Sequence, residues 1–289
     1  MHAASRYGCR VTTTTISREQ REYAEARVRA AGLENQVEVL GADYRDLGSS
    51  YDKLASIEMI EAVGWEYFDL FFRRCSELLR PHGLFFLQAI AVDDRAYEAE
   101  KGSRTFATEL IFPGGCLPSL EVIQRCVARH TNLRTVWLDD ISPSYALTLR
   151  HWRERFLAAA PELERLGYDR RFRRMWEMYL AISEAGFREA RIVDLQILFA
   201  KPAWRRSAPG AEREVAGRPV KPEAVATARP GGALVRAPDD ALLHGIGDGA
   251  GVVAPRAHVV LVHAAGVDGG AAGERDLSAH RVPAVARRT

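Results

Sequence analysis

Every Phe, Tyr, Trp, Cys and Met of this chain lies before Arg205. Aromatic side chains carry the largest burial per residue and dominate protein interiors. A packed core must therefore be built from the residues that precede that point. The stretch from Arg205 to Thr289 is mostly Ala, Gly, Val, Arg, Pro and Asp, a composition that opposes regular elements. The expected organisation is a folded domain over residues 1–204 and a low-complexity, disordered tail over residues 205–289. One short apolar run in the tail, Ala257-His258-Val259-Val260-Leu261-Val262, has the composition of a strand, but its surroundings argue against one.

The chain has 289 residues, 47% of them hydrophobic, enough for one sizeable core. Its 40 basic and 38 acidic residues leave a net charge of +2, which gives no basic field for nucleic acid. Cys9, Cys75, Cys116 and Cys126 form no CxxC pair and no cluster of metal-ligand spacing. They read as reduced thiols, and no metal is expected. No apolar run approaches the ~20 residues needed to span a bilayer, and no apolar leader follows Met1-His2-Ala3-Ala4-Ser5-Arg6. These features point to a cytoplasmic protein that at most visits the inner membrane surface.

Arg10-Val11-Thr12-Thr13-Thr14-Thr15-Ile16 is β-branched almost throughout, as a buried parallel strand would be. Ser17 with Gln20 three residues on forms a capping box, and Gly32 stands where that helix should end. Strands are expected at 36–40 and 54–57, then an amphipathic helix over 66–79 ended by Pro81-His82-Gly83. A strand at 84–90, apolar enough to be buried on both faces, follows. Further on, strands are expected at 133–138 and 190–200, with helices at 145–159 and 169–184. This alternation is that of an α/β, doubly wound, Rossmann-like sheet, in which ligands bind beyond the carboxyl ends of the strands.

Several segments near those ends carry a family resemblance. Val11-Thr12-Thr13-Thr14-Thr15-Ile16-Ser17-Arg18-Glu19-Gln20, Asp43-Tyr44-Arg45-Asp46 and Ser56-Ile57-Glu58-Met59-Ile60-Glu61-Ala62-Val63-Gly64 follow one another in order. Ile111-Phe112-Pro113-Gly114-Gly115-Cys116-Leu117-Pro118-Ser119, Tyr145-Ala146-Leu147-Thr148-Leu149-Arg150-His151-Trp152 and Arg171-Phe172-Arg173-Arg174-Met175-Trp176 come next. Together they resemble the later part of cyclopropane-fatty-acyl-phospholipid synthases and mycolic-acid cyclopropane synthases, over about residues 3–204.

The resemblance implies an S-adenosylmethionine (SAM)-dependent methyltransferase. It implies methylene transfer to a cis double bond of phospholipid acyl chains at a membrane surface, giving cyclopropane fatty acids. An alkene is a poor nucleophile, so such an enzyme must align alkene and methyl group and shield a carbocation. A base then takes a proton from the new methyl so that the ring closes. The resemblance attributes that step to a bound bicarbonate. It assigns Glu61 to orient the bicarbonate, Tyr145 to donate to it, and Ile57 to offer a backbone group. Thr15 and Gln20 are implied for the ribose and methionine end of SAM, and Asp43 and Tyr44 for its adenine.

This chain departs from the pattern at several places. Gln88 stands where many members have the bicarbonate-binding His; its amide can donate to an anion but cannot relay a proton. Ser183 replaces a Cys near the site, and Glu58 replaces a frequent Gly. The family's first strand and glycine-rich loop would lie before residue 1, so the sheet is expected to lack a central strand. Its neighbours would then carry orphaned backbone groups, at ~1–3 kcal/mol for each one left buried. Plainer roles stay open: capping for Thr15 and Gln20, a turn for Asp43, a core ring for Tyr145, a solvated charge for Glu61. Two other functions stay open as well. One is a remnant without SAM affinity, and the other is a methyltransferase of the same class acting on another lipid or small molecule.

Overall fold

The computed structural model describes residues 1–206 and the strand 258–263. The elements are α1 (His2–Tyr7), β1 (Arg10–Thr14), α2 (Arg18–Ala30), β2 (Val37–Leu40), β3 (Tyr51–Ile57), α3 (Phe68–Glu77) and β4 (Leu79–Val92). They continue with α4 (Tyr97–Glu100), α5 (Leu120–His130), β5 (Arg134–Asp140), α6 (Ser142–Ala158), α7 (Ala160–Arg165), α8 (Arg170–Arg188), β6 (Ile192–Ala200) and β7 (His258–His263).

The strands make one mixed sheet in the order β2-β1-β7-β3-β4-β6-β5. Strands β2, β1, β7, β3 and β4 run parallel, and β6 is antiparallel to both β4 and β5. The α/β Rossmann-like expectation therefore holds. Ser17 caps α2 as its sequence predicts, accepting from Gln20 N at 3.2 Å, and Gly32 takes the left-handed φ of 64° just past the helix. The helix expected over 66–79 ends earlier, at Glu77, and β4 begins at Leu79. Helices α1, α4, α5 and α7 were not expected. The α5 stretch opens on Ser119, whose hydroxyl accepts from Val122 N at 3.3 Å, an N-cap legible in the sequence.

The expected gap in the sheet is filled. Strand β7 lies between β1 and β3, pairing Arg10–Thr14 with His258–Val262 and Lys53–Ile57 with Val259–His263. For these six residues the structure departs from the expectation of a mostly disordered tail and realises the strand that the run's composition allowed. The physical reason is local. An aliphatic run has the side chains a central strand wants, and two flanking strands offer ladder groups that are costly to leave unpaired. The average composition of the tail concealed that run. The rest of the expected tail beyond Arg206 lies outside the described residues.

The main core lies on one face of the sheet, where Phe71, Phe72 and Cys75 of α3 and Ile123 and Val127 of α5 meet Phe85, Leu87, Leu195, Ile197 and Phe199. Alternate residues of β4 and β6 point to the other face, as the two-residue period of a strand requires. There Ile90 and Ile192 pack under Tyr145, Leu149, Trp176, Tyr179, Leu180 and Phe187 of α6 and α8. Glu184, only 5% exposed, ties these two helices together, accepting from Arg150 Nε and Arg153 at 3.2 Å each and from Arg188 at 3.4 Å.

Candidate active site

Four polar residues of this second face lie under α6 and α8 or at the strand ends beside them. Gln88 and Gln196 are direct cross-strand partners, and Ile90 pairs with Asp194. Gln196 Nε2 donates to Gln88 Oε1 at 3.0 Å, which fixes the orientation of the Gln88 amide. Gln88 Nε2 then donates to both Asp194 Oδ2 and Glu58 Oε1, each at 3.0 Å. Tyr145 Oη donates to Glu58 Oε2 at 2.8 Å. Glu58 N continues the β3–β4 ladder by donating to Gln88 O at 2.9 Å, and its φ is +47°. Non-glycine residues rarely adopt that conformation, so the surrounding bonds hold it there.

Glu61 follows on a short 3-10 turn, Ile60–Ala62. Its Oε1 accepts from Ile90 N at 2.7 Å, while its Oε2 is buried without a hydrogen-bond partner. Burial pushes its carboxyl up to about 8; the amides of Glu61 and Ile90 oppose the shift, and the charges of Glu58 and Asp194 add to it. Asp194 is fully buried and its Oδ1 also lacks a partner. Burial, then the charge of Glu58, raises it to about 7. Three carboxylates thus sit within electrostatic reach of one another. Such an arrangement stores affinity for protons or for another positive charge.

The glycine motif at 111–119 positions Glu61. Cys116 N donates to Glu61 O at 2.8 Å, and a Cβ on Gly115 would meet Phe112 O at 3.0 Å and Glu61 O at 3.4 Å. Glycine at 115 lets the loop lie directly on the Glu61 backbone. Just before it, Ala107–Ile111 forms a π-helical turn, and Phe112 meets the Tyr179 ring edge-on at 5.7 Å. Leu110 and Phe112 on this segment are exposed, as are Met178 and Ile182 one turn apart on α8. Exposed apolar side chains near a polar site, such as Phe112 against Tyr179, are candidates for contact with an apolar partner or ligand.

The sequence-predicted residues fall into two groups. Tyr145 and Gln88 join Glu58 directly, and Glu61 lies beside them. The Tyr145 ring packs on Phe187 at 4.7 Å, so it is both a core ring and a donor to the cluster. Burial and then the charge of Glu58 hold its hydroxyl far above the ordinary tyrosine range, so it stays protonated. Ser183 enters at one remove through Tyr179, whose hydroxyl is raised by burial, lowered in part by the Ser183 side chain and raised further by Glu58. Ile57 pairs with Gln88 and His263 in the ladder, and the backbone donor beside Glu61 is Ile90 instead. Sequence reasoning missed Asp194, Gln196 and the role of Ile90. The signal was present: Asp194 and Gln196 are two apart in an otherwise apolar strand, so they share one face.

The second group lies at the carboxyl ends of β1 and β2. Thr15 Oγ1 donates to Gln20 Oε1 at 2.8 Å and accepts from Ser17 N at 3.1 Å. The reciprocal bond of the capping box is therefore made by Thr15, which leaves the Gln20 side chain turned toward Thr15. Thr15 N donates to Leu40 O at 3.1 Å, which joins this turn to the end of β2. Asp43 accepts from Arg45 N and Nε, both at 2.9 Å, and Arg45 holds its carboxyl below the usual range. The Tyr44 ring meets Phe71 edge-on at 5.7 Å, and burial raises its hydroxyl to about 12.

Hydroxyl, amide, carboxylate and half-buried ring at adjacent strand ends fit the ribose, amino-acid end and adenine of SAM. Bicarbonate does not fit in the same way. Two of the donors implied for it, Tyr145 and Gln88, are bonded to the Glu58 carboxylate. No cluster of metal ligands occurs among the described residues.

This geometry can be set beside known proteins. The sequence profile of mycolic acid cyclopropane synthetases matches residues 1–197. The chain belongs to that family. It is 44% identical over 188 residues to the tuberculostearic acid methyltransferase UfaA1 of Mycobacterium tuberculosis, covering 65% of this chain and 44% of that protein. It is 34% identical over 200 residues to the cyclopropane-fatty-acyl-phospholipid synthase of Escherichia coli K12, covering 69% and 50%. The chain thus spans about half the length of the curated relatives it matches. Among solved structures, mycolic acid cyclopropane synthase CmaA1 complexed with SAH and CTAB superposes with a TM-score of 0.64 at 25% identity, covering 70% of this chain and 73% of that one. Membership in the cyclopropane synthetase family, whose solved member CmaA1 was complexed with SAH, accounts for the α/β sheet. No helix among the described residues is long and apolar enough to cross a membrane.

Proposed function

We propose that the chain carries a SAM-dependent transfer to the cis double bond of a phospholipid acyl chain, forming a cyclopropane ring. The observation that supports this best is the cluster of half-buried Glu58 and Glu61 with fully buried Asp194 next to the parallel strand ends. When bound, SAM supplies an electrophilic methyl group on a positively charged sulfur. Thr15, Gln20, Asp43 and Tyr44 bind and orient it at the ends of β1 and β2. Attack by an alkene leaves positive charge on the acyl chain. Carboxylates fixed beside the developing charge stabilise it, and that charge in turn draws Glu61 and Asp194, otherwise partly protonated near neutral pH, toward their ionised forms. The aromatic wall of Tyr145, Trp176 and Tyr179 shields the cation from water. The exposed Leu110 and Phe112, the latter against Tyr179, support entry of an acyl chain from a membrane surface.

A second reading has its own support. The 44% identity to a tuberculostearic acid methyltransferase favours methylation of an unsaturated acyl chain without ring closure. Mass spectrometry and NMR of lipids from an expressing host separate the two. A new cyclopropane signal supports the first, and a methylated chain that keeps a double bond supports the second. Isothermal titration with SAM tests both readings. Absence of saturable binding by the 289-residue chain would leave neither standing and would favour the inactive remnant.

A further inference from the structure

We infer that Glu58 is the built-in base of this site: its side-chain carboxylate holds the position of a bound planar anion and accepts the proton that the reaction releases. The inference rests on the alkene-methylation reading above. Three separate elements converge on this one carboxylate. Glu58 follows β3, Gln88 lies within β4 and Tyr145 lies in α6. Both carboxylate oxygens are engaged, Oε2 by Tyr145 at 2.8 Å and Oε1 by Gln88 at 3.0 Å. A glutamate carboxylate and a bicarbonate present the same two-oxygen planar anion to such donors. Glu58 is one of two non-glycine residues with positive φ among the described residues. Backbone held in a sparsely populated conformation at a polar cluster is a mark of function.

The chemistry balances with this residue alone as base. The alkene π pair forms a bond to the methyl carbon, the carbon–sulfur bond breaks, and sulfur keeps that pair as a neutral thioether. Positive charge is left on the neighbouring alkene carbon. A C–H pair of the new methyl closes the ring, and its proton passes to the Glu58 carboxylate, which becomes a neutral acid. The Tyr145 hydroxyl keeps its own proton and steers the carboxylate. Gln88, fixed by Gln196, prevents the carboxylate from rotating away.

The test uses the full chain with SAM and dioleoylphosphatidylglycerol vesicles, following thioether release and lipid product. Glu58→Gly tolerates the positive φ without strain and empties the carboxylate position. Wild-type turnover should be unchanged when bicarbonate is removed. Glu58→Gly should lose at least about 100-fold in kcat, the scale of one general base, with little change in SAM affinity. Formate should restore at least about tenfold of that loss. Glu58→Gln keeps the hydrogen-bond geometry without a base; it should lose kcat, not KM, and gain nothing from formate. Calorimetry adds a readout without turnover: Glu58→Gly should bind formate, and wild type should not. Bicarbonate-dependent wild-type turnover, near-normal activity of Glu58→Gln, or no formate rescue of a folded Glu58→Gly would overturn the inference. If wild type binds SAM but turns over no unsaturated lipid, the alkene-methylation reading itself fails, and the base role with it.

Discussion

Val260→Pro puts the place of β7 in the sheet to a direct test. Val260 is in register with Thr12 on one side and Leu54 on the other, so it sits mid-strand in the middle of the sheet. Proline has no N–H and does not fit a central strand. One ladder bond is lost, and the carbonyl left without a partner costs ~1–3 kcal/mol if it stays dry. The ring clash adds to this, so a loss of ~2–3 kcal/mol is a conservative sum. At ~1.4 kcal/mol per factor of ten, that is roughly 30- to 150-fold in the opening equilibrium. Hydrogen exchange read by mass spectrometry on peptides covering β1 and β3 measures it. In wild type these strands should be protected like the rest of the sheet. In Val260→Pro their exchange should accelerate by that factor, with a parallel drop in the urea midpoint. If Val260→Pro exchanges like wild type, or wild-type β1 and β3 exchange like free edges, β7 does not complete the sheet.

Other perturbations follow from the same geometry. Asp194 and Glu61 have folded-state pKa values of about 7 and about 8, raised above the ordinary carboxylate range. Their contribution to stability is therefore full below about pH 4 and is lost as pH rises through about 7 to 8. Asp194→Asn, which still accepts from Gln88, should flatten the pH dependence of the urea midpoint between about pH 5 and 8; an unchanged slope would show that Asp194 does not titrate there. Gly115→Val places a Cβ 3.0 Å from Phe112 O and disturbs the loop on Glu61. It should lower kcat more than about tenfold with a small loss of stability, and a fully active variant would remove the loop from the positioning of Glu61. Glu184→Ala leaves three arginines without their shared acceptor. Because those arginines are partly exposed, the loss should be about 2 kcal/mol rather than the full cost of a buried charge. Thermal unfolding measures it, and an unchanged melting temperature would mean that the α6–α8 pairing rests on packing alone.

Much of the fold was legible because strand and cap signals are local. The threonine run of β1, the Ser17 cap and Gly32 depend only on near neighbours, and each appears where its chemistry puts it. The ends of α3 and β4 were less legible, since Pro81 and Gly83 read as punctuation while tertiary pairing carries β4 through them. In the site, Gln88 and Tyr145 were found by motif, but the residue they hold was not. Glu58 acquires its place through a positive φ and two donors distant in sequence, and no local pattern announces that. Asp194 is legible from strand alternation alone, two residues from Gln196 on one face of an otherwise apolar strand.

Strand β7 also has a consequence for biosynthesis. A ribosome makes β1 and β3 long before His258–His263 emerges. Until β7 docks, β1 and β3 lack the partner that this sheet gives them, and an unpaired edge is a template for pairing with other chains. Late, non-local closure of this kind slows folding and exposes the intermediate to aggregation. Yield on expression should therefore depend on chaperone supply more steeply than the size of the domain alone would suggest.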